Sequence, residues 1–122
     1  MGPIQSYRDL NVWKDSMDLA VHCTKLSRSF PQYELFGLTS QISRAACSIP
    51  ANIAEGQARD STKEFIRYLS ISRGSLAELE THLELATRLE YISREQLDAL
   101  LQSIGKMLSA LRKSLKRRIT KP

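Results

Sequence analysis

Residues 61–90, STKEFIRYLSISRGSLAELETHLELATRLE, carry the pattern that decides the fold. Apolar and small residues recur there at alternating spacings of four and three, which is the heptad rhythm of packed helices. The row consists of Phe65, Leu69, Ser72, Leu76, Leu79, Leu83 and Ala86. Ser61, followed three residues later by Glu64, forms a capping box of the kind that starts a helix. We therefore predict one long helix over residues 61–89.

The sequence on either side of this helix predicts further helices. A second capping box, at residues 93–96, precedes another heptad row that ends at Leu115, so we predict a helix over residues 93–118. Near the start of the chain, apolar residues at spacings of three and four predict a helix over residues 9–29. Phe30 and Pro31 end that helix, because the residue before a proline resists the helical conformation.

The remaining helix contains a proline. Apolar spacing predicts a helix over residues 34–58, and Pro50 lies inside it, where it removes a backbone hydrogen bond. The pattern continues past the proline, so we predict one helix kinked at Pro50 rather than two helices. Short loops make neighbouring helices antiparallel. The predicted fold is all-α, an antiparallel up-and-down four-helix bundle that occupies residues 1–122 as a single domain.

Composition excludes several classes of protein. The chain is 42% hydrophobic and 25% charged, as an ordinary folded domain is. It has no stretch of about 20 apolar residues and no signal-peptide core, so we expect a cytoplasmic protein without membrane contact. Cys23 and Cys47 are isolated in the sequence, and we expect both to be reduced, buried thiols.

The positive charge is confined to one part of the chain. The net charge is +5, yet residues 1–105 contain eleven Lys or Arg and thirteen Asp or Glu. Lys106–Pro122 contains seven Lys or Arg and no acid. The surplus cations therefore belong to the last helix and its end.

The helices carry more apolar residues than one bundle needs. A helix in a solitary bundle buries roughly three positions in seven. Additional apolar positions lie beside the main rows of the third and fourth helices, at Tyr68, Ile71, Leu85, Leu89, Leu100 and Met107. Apolar surface left outside a small bundle marks a protein contact. We expect a homo-oligomer with these residues at the contact; the alternative is a wide core inside one subunit.

Long stretches of the chain resemble a known family. The resemblance is carried by YRDLNVWK, ELFGLTSQISRAACSIPANIAEG, STKEF and RGSLAELETHLELA, at residues 7–14, 34–56, 61–65 and 73–86. They resemble the bacterial four-helix-bundle proteins encoded by intervening sequences of large-subunit ribosomal RNA genes. That resemblance implies a ring-forming subunit, a pentamer, with no known catalytic activity. The family is also similar in fold and charge to accessory proteins of diversity-generating retroelements, which partner a reverse transcriptase and bind nucleic acid.

The cations of the last helix are the main candidate binding residues. On a helix they stand opposite the apolar row that contains Leu108 and Leu115. The candidates are Lys106, Arg112, Lys113, Lys116, Arg117 and Arg118. Cations on one helical face can bind phosphates and release counterions. We predict RNA or DNA binding without strong sequence preference, against the alternative that these residues only complement the helix dipole.

Three polar residues share one face of the proline-containing helix. Spacings of eight and three bring Arg44, Asn52 and Glu55 near a common side. Half-buried polar groups must be paired, so we predict a structural polar network across the kink rather than a ligand site.

An enzyme or metal site has little support in the sequence. Neighbouring residues of a helix point about 100° apart, so His22 and Cys23 are badly placed to act as a catalytic pair. His82 stands one turn after Glu78, which is an ordinary helical pairing. We expect no catalysis, metal or cofactor. The alternative to nucleic-acid binding is an accessory subunit that docks a polymerase-type protein.

Overall fold

The computed structural model describes residues 6–93 and 95–120, apart from the side chain of Gln96. These residues form four α-helices: α1 Asn11–Ser27, α2 Leu38–Ala58, α3 Thr62–Arg88 and α4 Glu95–Thr120. Short 3-10 helices at Tyr7–Asp9 and Gln32–Glu34 precede α1 and α2, and no strand occurs in the described parts of the chain. The prediction of an all-α four-helix fold is confirmed.

The helix boundaries differ from the predicted ones chiefly at α2. This helix begins at Leu38 rather than Glu34, because residues 32–34 form their own 3-10 turn and Gly37 has non-helical backbone angles of φ −107° and ψ −113°. The Glu34 carboxylate accepts a 3.4 Å hydrogen bond from the backbone N–H of Leu38. Leu10 is likewise extended, so α1 begins at Asn11 rather than at Asp9, which belongs to the preceding 3-10 helix.

One of the two predicted capping boxes can be compared with the structure. The Ser61 hydroxyl accepts a 3.3 Å hydrogen bond from the backbone N–H of Glu64, as predicted. The Glu64 carboxylate instead accepts a 2.9 Å bond from Arg67. The other predicted box, at residues 93–96, lies outside the described residues, because it depends on Arg94 and on the side chain of Gln96.

The predicted rows of α3 and α4 form the core. Leu69, Leu79 and Leu83 of α3 are fully buried, as are Ile104 and Leu108 of α4. Phe65, the first residue of the α3 row, and Leu111, the residue before the last in the α4 row, are only partly buried. The core is completed by α1 and α2, through Val12, Leu19, Cys23, Ile42, Ala46, Ile49 and Ile53. Period-seven spacing therefore identified the buried faces of both later helices correctly.

One continuous helix passes through Pro50, as predicted. Proline has no N–H, so the hydrogen bond to the carbonyl one turn earlier is missing. Two side chains bind backbone carbonyls on either side of this break. Asn52 donates from Nδ2 to the Ser48 carbonyl at 2.7 Å, and Ser72 of α3 donates from Oγ to the Ile49 carbonyl at 3.0 Å. The polar groups of this segment are thus used by the backbone itself.

The helices α2 and α3 approach each other closely at Gly56. A Cβ atom placed on Gly56 would lie 2.5 Å from the Cβ of Tyr68 and 3.3 Å from Cδ1 of Phe65. Carbon atoms attract best at about 3.5–4.0 Å, so only glycine fits here. The Tyr68 side chain is 7% exposed, with its hydroxyl 2.8 Å from Arg59 and 3.2 Å from the Glu55 carboxylate.

The order of the helices around the bundle follows from their contacts. The helix α2 packs against α1 and α3, and α4 packs against the same two helices from the other side. Within the described residues α2 and α4 do not touch, so they occupy diagonally opposite corners. None of the described helices is both long enough and apolar enough to cross a membrane.

Gly56→Ala tests the close approach. The added methyl group must push α2 and α3 apart, and such overpacking lowers the free energy of unfolding by about 1–3 kcal/mol. The matched control is Gly74→Ala, where an added Cβ meets nothing within 4 Å. There alanine should raise stability by up to about 1 kcal/mol, because it favours the helix. Urea unfolding of both variants measures the difference, and Gly56→Ala of wild-type stability would contradict the packing.

Candidate nucleic-acid interface

The predicted cations of α4 lie on its outer side. Lys106, Lys113, Lys116 and Arg117 are exposed. On the helix wheel Lys106, Lys113 and Arg117 face away from the buried row of Leu108 and Leu115, and Lys116 lies at about a right angle to that row, since each residue advances by about 100°. These four side chains form one cationic surface, which we call the basic face.

The other two predicted cations are placed differently. Arg112 stands between the basic face and the core; it is half-buried, and its buried Nε has no hydrogen-bond partner among the described residues. Arg118 lies on the opposite edge of α4, in a groove shared with Leu10, Asp60 and Thr62. Sequence position alone grouped Arg118 with the rest, although its wheel angle separates it from them.

The basic face is not neutralised by carboxylates. No ion pair within residues 6–93 and 95–120 involves a cation of α4. Three arginines of α2 and α3 are instead paired with a glutamate one turn away. Arg59 binds Glu55 at 3.0 Å, Arg67 binds Glu64 at 2.9 Å and Arg88 binds Glu84 at 2.9 Å. The surplus charge of the chain is therefore displayed to solvent on one helix.

The structure adds one residue to this surface that sequence analysis missed. Arg73 of α3 and Lys106 of α4 line the same shallow groove. The groove has a volume of about 630 Å³, and Glu80 also lines it. The antiparallel register of α3 and α4 brings the two cations together. No local motif could have shown this, because the register depends on packing between helices.

The two ends of the bundle differ in charge. The groove around Arg118 shows that the last turns of α4 meet the turn between α2 and α3. The first turn of α3 adds the exposed Lys63 at this end. The opposite end of the bundle holds the connection between α1 and α2 and the connection between α3 and α4. Five carboxylates lie in or beside these connections: Glu34, Glu84, Glu90, Glu95 and Asp98. The bundle is thus basic at one end and acidic at the other.

The three residues of the predicted polar network are not joined. No described hydrogen bond connects Arg44, Asn52 and Glu55 to one another. Eight residues of helix separate Arg44 from Asn52 by about 12 Å, which is too far for direct pairing. Arg44 instead lines a polar groove between α2 and α3 with Glu78.

Glu55 belongs to a different cluster, with Arg59 and Tyr68. Its carboxylate accepts hydrogen bonds from both, and the bond from Arg59 holds the pKa of Glu55 below its usual value. The Arg59 and Arg67 guanidinium groups lie 5.2 and 4.7 Å from the centre of the Tyr68 ring. These two arginines therefore serve the α2–α3 contact and are not free cations.

The residues predicted for self-association fall into three groups. Ile71, Leu85 and Leu89 are 39%, 48% and 46% exposed and form an apolar row along the outside of α3. Leu100 and Met107 of α4 are half-buried against the core. Tyr68 is buried inside the subunit under α2, so the placement of Tyr68 at a subunit contact does not agree with the structure. Its neighbour Gly56 leaves the space that the ring fills.

A second apolar surface, between α1 and α2, was not singled out in the sequence. It is a groove of about 490 Å³, whose walls include Trp13, Met17 and Val21 of α1 and whose floor includes Ala51 and Ala54 of α2. Met17 and Val21 are 41% and 48% exposed. Their spacing of four agrees with the apolar periodicity that predicts the first helix, but periodicity alone does not distinguish a core face from an exposed one.

The cysteines and histidines do not form a reactive cluster. Cys23 is fully buried, and burial raises the pKa of its thiol to about 12. Cys47 is exposed and lines the α1/α2 groove, so the expectation that both thiols are buried was wrong. His82 Nε2 lies 3.5 Å from Glu78, as expected from their spacing. No group of three or more potential metal ligands occurs in the described part of the chain.

Comparison with known proteins identifies relatives. Residues 8–113 match the family described as 23S rRNA-intervening sequence protein. No curated protein matches the chain. The chain is similar to a protein of unknown function from the S23 ribosomal protein family of Bacteroides thetaiotaomicron, with a crystal structure at 1.70 Å resolution. The two share 34% sequence identity and a TM-score of 0.74, over 84% of this chain and 95% of the other.

Glu55→Gln tests the cluster around Tyr68. Because the pKa of Glu55 is lowered in the folded chain, its charge stabilises the fold above the ordinary carboxyl pKa, and this stabilisation is lost as the pH falls through the lowered value. We expect a lower urea midpoint than wild type at neutral pH and no difference in acid. The control Glu90→Gln removes an exposed carboxylate that has no described ion pair, and should change neither. An equal Glu55→Gln effect at both pH values would contradict this assignment.

Proposed function

The chain belongs to the 23S rRNA-intervening sequence protein family, and from that premise we propose that it is a non-catalytic, oligomeric scaffold that binds RNA or DNA through the basic face of α4. The binding partner is the phosphate backbone. The descriptions of the family and of its relative refer to 23S rRNA and to ribosomal protein, which is in keeping with an RNA context.

The observation that carries this proposal is that none of the cations of the basic face forms an ion pair among the described residues. A cation that is already paired on its own helix has less to gain from a phosphate than one facing water. The four cations of the basic face are exposed, whereas Arg59, Arg67 and Arg88 are paired. Phosphates that bind such a surface release their condensed counterions, which favours binding at low salt.

Weak sequence preference follows from the residues that surround the basic face. Bases are read by stacking on exposed aromatic rings or by hydrogen bonds in a groove. Tyr68 is buried, and Tyr91 packs on Phe30 with ring centres 5.2 Å apart. The described part of α4 contains no aromatic residue. Without aromatic rings beside them, the lysines and the arginine of the basic face contact phosphates. Phosphates are the same at every position of a strand and therefore carry no sequence information.

Self-association would increase the affinity. In a single subunit, water covers the apolar row on α3 that consists of Ile71, Leu85 and Leu89. Exposed apolar patches of this kind mark protein contacts. The family resemblance adds a pentameric ring to this proposal. Several basic faces on one assembly bind a long polyanion with a higher effective concentration than a single subunit can reach. The free thiols of Cys23 and Cys47 suit a reducing, cytoplasmic setting.

A second candidate function is that of an accessory subunit which docks another protein, such as a polymerase. The observation in its favour is Phe36, which is 92% exposed, next to Leu35 at 50%. They lie in the connection before α2, and Phe36 borders the polar groove with Arg44 and Glu78. An exposed phenylalanine forgoes roughly 1.5–3 kcal/mol of burial, which a protein partner could recover.

Salt titration and a charge-loss variant test nucleic-acid binding. We expect the affinity of wild type for a duplex RNA to fall as salt is added. When the logarithm of the affinity is plotted against the logarithm of the salt concentration, the slope is about −0.9 per phosphate contact for a B-form duplex and has the same sign for RNA. Replacing Lys113, Lys116 and Arg117 by Gln should reduce this slope by up to about 3 and weaken binding at low salt at least tenfold. Fluorescence anisotropy with a labelled duplex measures both quantities.

A matched variant separates position from net charge. Lys14, Arg44 and Arg88 are exposed on other helices, and replacing them by Gln removes as many cations and should leave the slope nearly unchanged. Light scattering checks that both triple variants assemble as wild type does. If neither wild type nor control binds duplex or single-stranded nucleic acid at low salt, nucleic-acid binding is rejected. A partner protein that stays bound in a pull-down after nuclease treatment would then favour the accessory-subunit function.

A further inference from the structure

Two apolar surfaces of different shape lie on adjacent sides of the bundle. One is the concave α1/α2 groove described above, with Met17 and Val21 on its wall. The other is convex; it consists of Ile71, Leu85 and Leu89 along the outside of α3, which we call the α3 ridge. A subunit with only one such surface could bury it against the same surface of a second copy. This subunit has two that differ in form.

We infer that the α1/α2 groove of one copy receives the α3 ridge of a second copy, in a heterologous contact. The inference rests on the self-association proposed above and names the two surfaces that carry it. Heterologous contacts join unlike patches, so every subunit has one groove filled and one ridge covered, and the contact repeats until the assembly closes.

The floor of the groove allows a helix to approach closely. Cys47, Ala51 and Ala54 of α2 line it with small side chains, while Trp13, Met17 and Val21 stand higher on α1. Small residues let two helix backbones come together, and large side chains of the incoming helix fill the space between them. Trp13 to Thr24 spans about 16 Å of α1, and Ile71 to Leu85 spans about 21 Å of α3, so the two surfaces have comparable length.

Charge favours the unlike pairing over either like pairing. Lys25 and Arg28 line one end of the groove. Glu78 lies on the ridge, seven residues from both Ile71 and Leu85, and its side chain is 61% exposed. Ridge against groove brings a carboxylate towards cations. Groove against groove would bring cations together, and ridge against ridge would bring glutamates together, and such like-charge contacts suppress wrong pairings.

The positions of the two surfaces determine the shape of the assembly. Both surfaces border α2, one on the side of α1 and the other on α3. A contact between adjacent sides of a bundle turns each copy relative to the last, so the copies cannot form a straight filament and they form a ring where the rotation closes. The corner diagonally opposite to α2 is α4. The basic face therefore stays uncovered when the contact forms.

Paired glutamate substitutions test the heterologous contact. Val21→Glu lies in the groove and Leu85→Glu on the ridge, and both side chains are 48% exposed, so the fold should survive either change. We expect each variant alone to be a monomer of 13.8 kDa by light scattering. An equimolar mixture should form a dimer that grows no further, because the intact groove of the Leu85→Glu copy receives the intact ridge of the Val21→Glu copy.

The control and the contrary outcomes are distinct. Ile119→Glu changes a 41% exposed residue on α4 and should assemble as wild type does. If Val21→Glu still assembles alone, the ridge pairs with itself. If Leu85→Glu still assembles alone, the groove pairs with itself. Either result overturns the inference, and so does an equimolar mixture that forms no dimers. A monomeric wild type would reject the proposed assembly as well, and duplex binding, measured separately, would still decide the nucleic-acid proposal.

Discussion

The contact between Gly56 of α2 and Tyr68 of α3 is the constraint on which much of this bundle depends. It leaves no room for a methyl group, since a Cβ on Gly56 would come within 2.5 Å of the Tyr68 Cβ. Around it, Arg59 and Glu55 bind the Tyr68 hydroxyl, and farther along, Ser72 binds a backbone carbonyl beside Pro50. These contacts fix the rotation of α3 about its own axis. The rotation of α3 determines which of its apolar rows is buried in the core and which is exposed on the outside.

The same constraint explains which polar groups are available for binding. Close packing of α2 on α3 uses Arg59 and Arg67 as covers for the Tyr68 ring, each paired with a glutamate of its own helix. The basic face of α4 has no comparable task. Its residues lie on the far corner of the bundle, where no third helix packs over them. The separation between structural and free cations is therefore a consequence of helix order, and charge counting along the chain reveals only half of it.

The sequence was a good guide to whatever depends on local periodicity. The heptad rows of α3 and α4 identified Leu69, Leu79 and Leu108 as core, and the continuing pattern past Pro50 identified one helix. Features that depend on how helices meet could not be derived. Gly56 reads as a helix end in sequence, although it is a packing residue, and Tyr68 reads as surplus apolar surface, although it fills the space beside Gly56. The α1/α2 groove likewise depends on how α1 and α2 pack against each other.

Placing apolar and charged surfaces on opposite corners has a physical advantage for a small scaffold. A bundle of this size cannot cover both a protein partner and a polyanion with one surface, because apolar side chains and unpaired cations make conflicting demands on water. Here the apolar groove and ridge flank α2, while the free cations lie on α4. Self-association can then bury apolar surface without desolvating any lysine or arginine of the basic face. In the proposed assembly the cations of neighbouring subunits would come into one array. Bound phosphates would relieve the repulsion between these cations, which would couple assembly to nucleic-acid binding through charge alone.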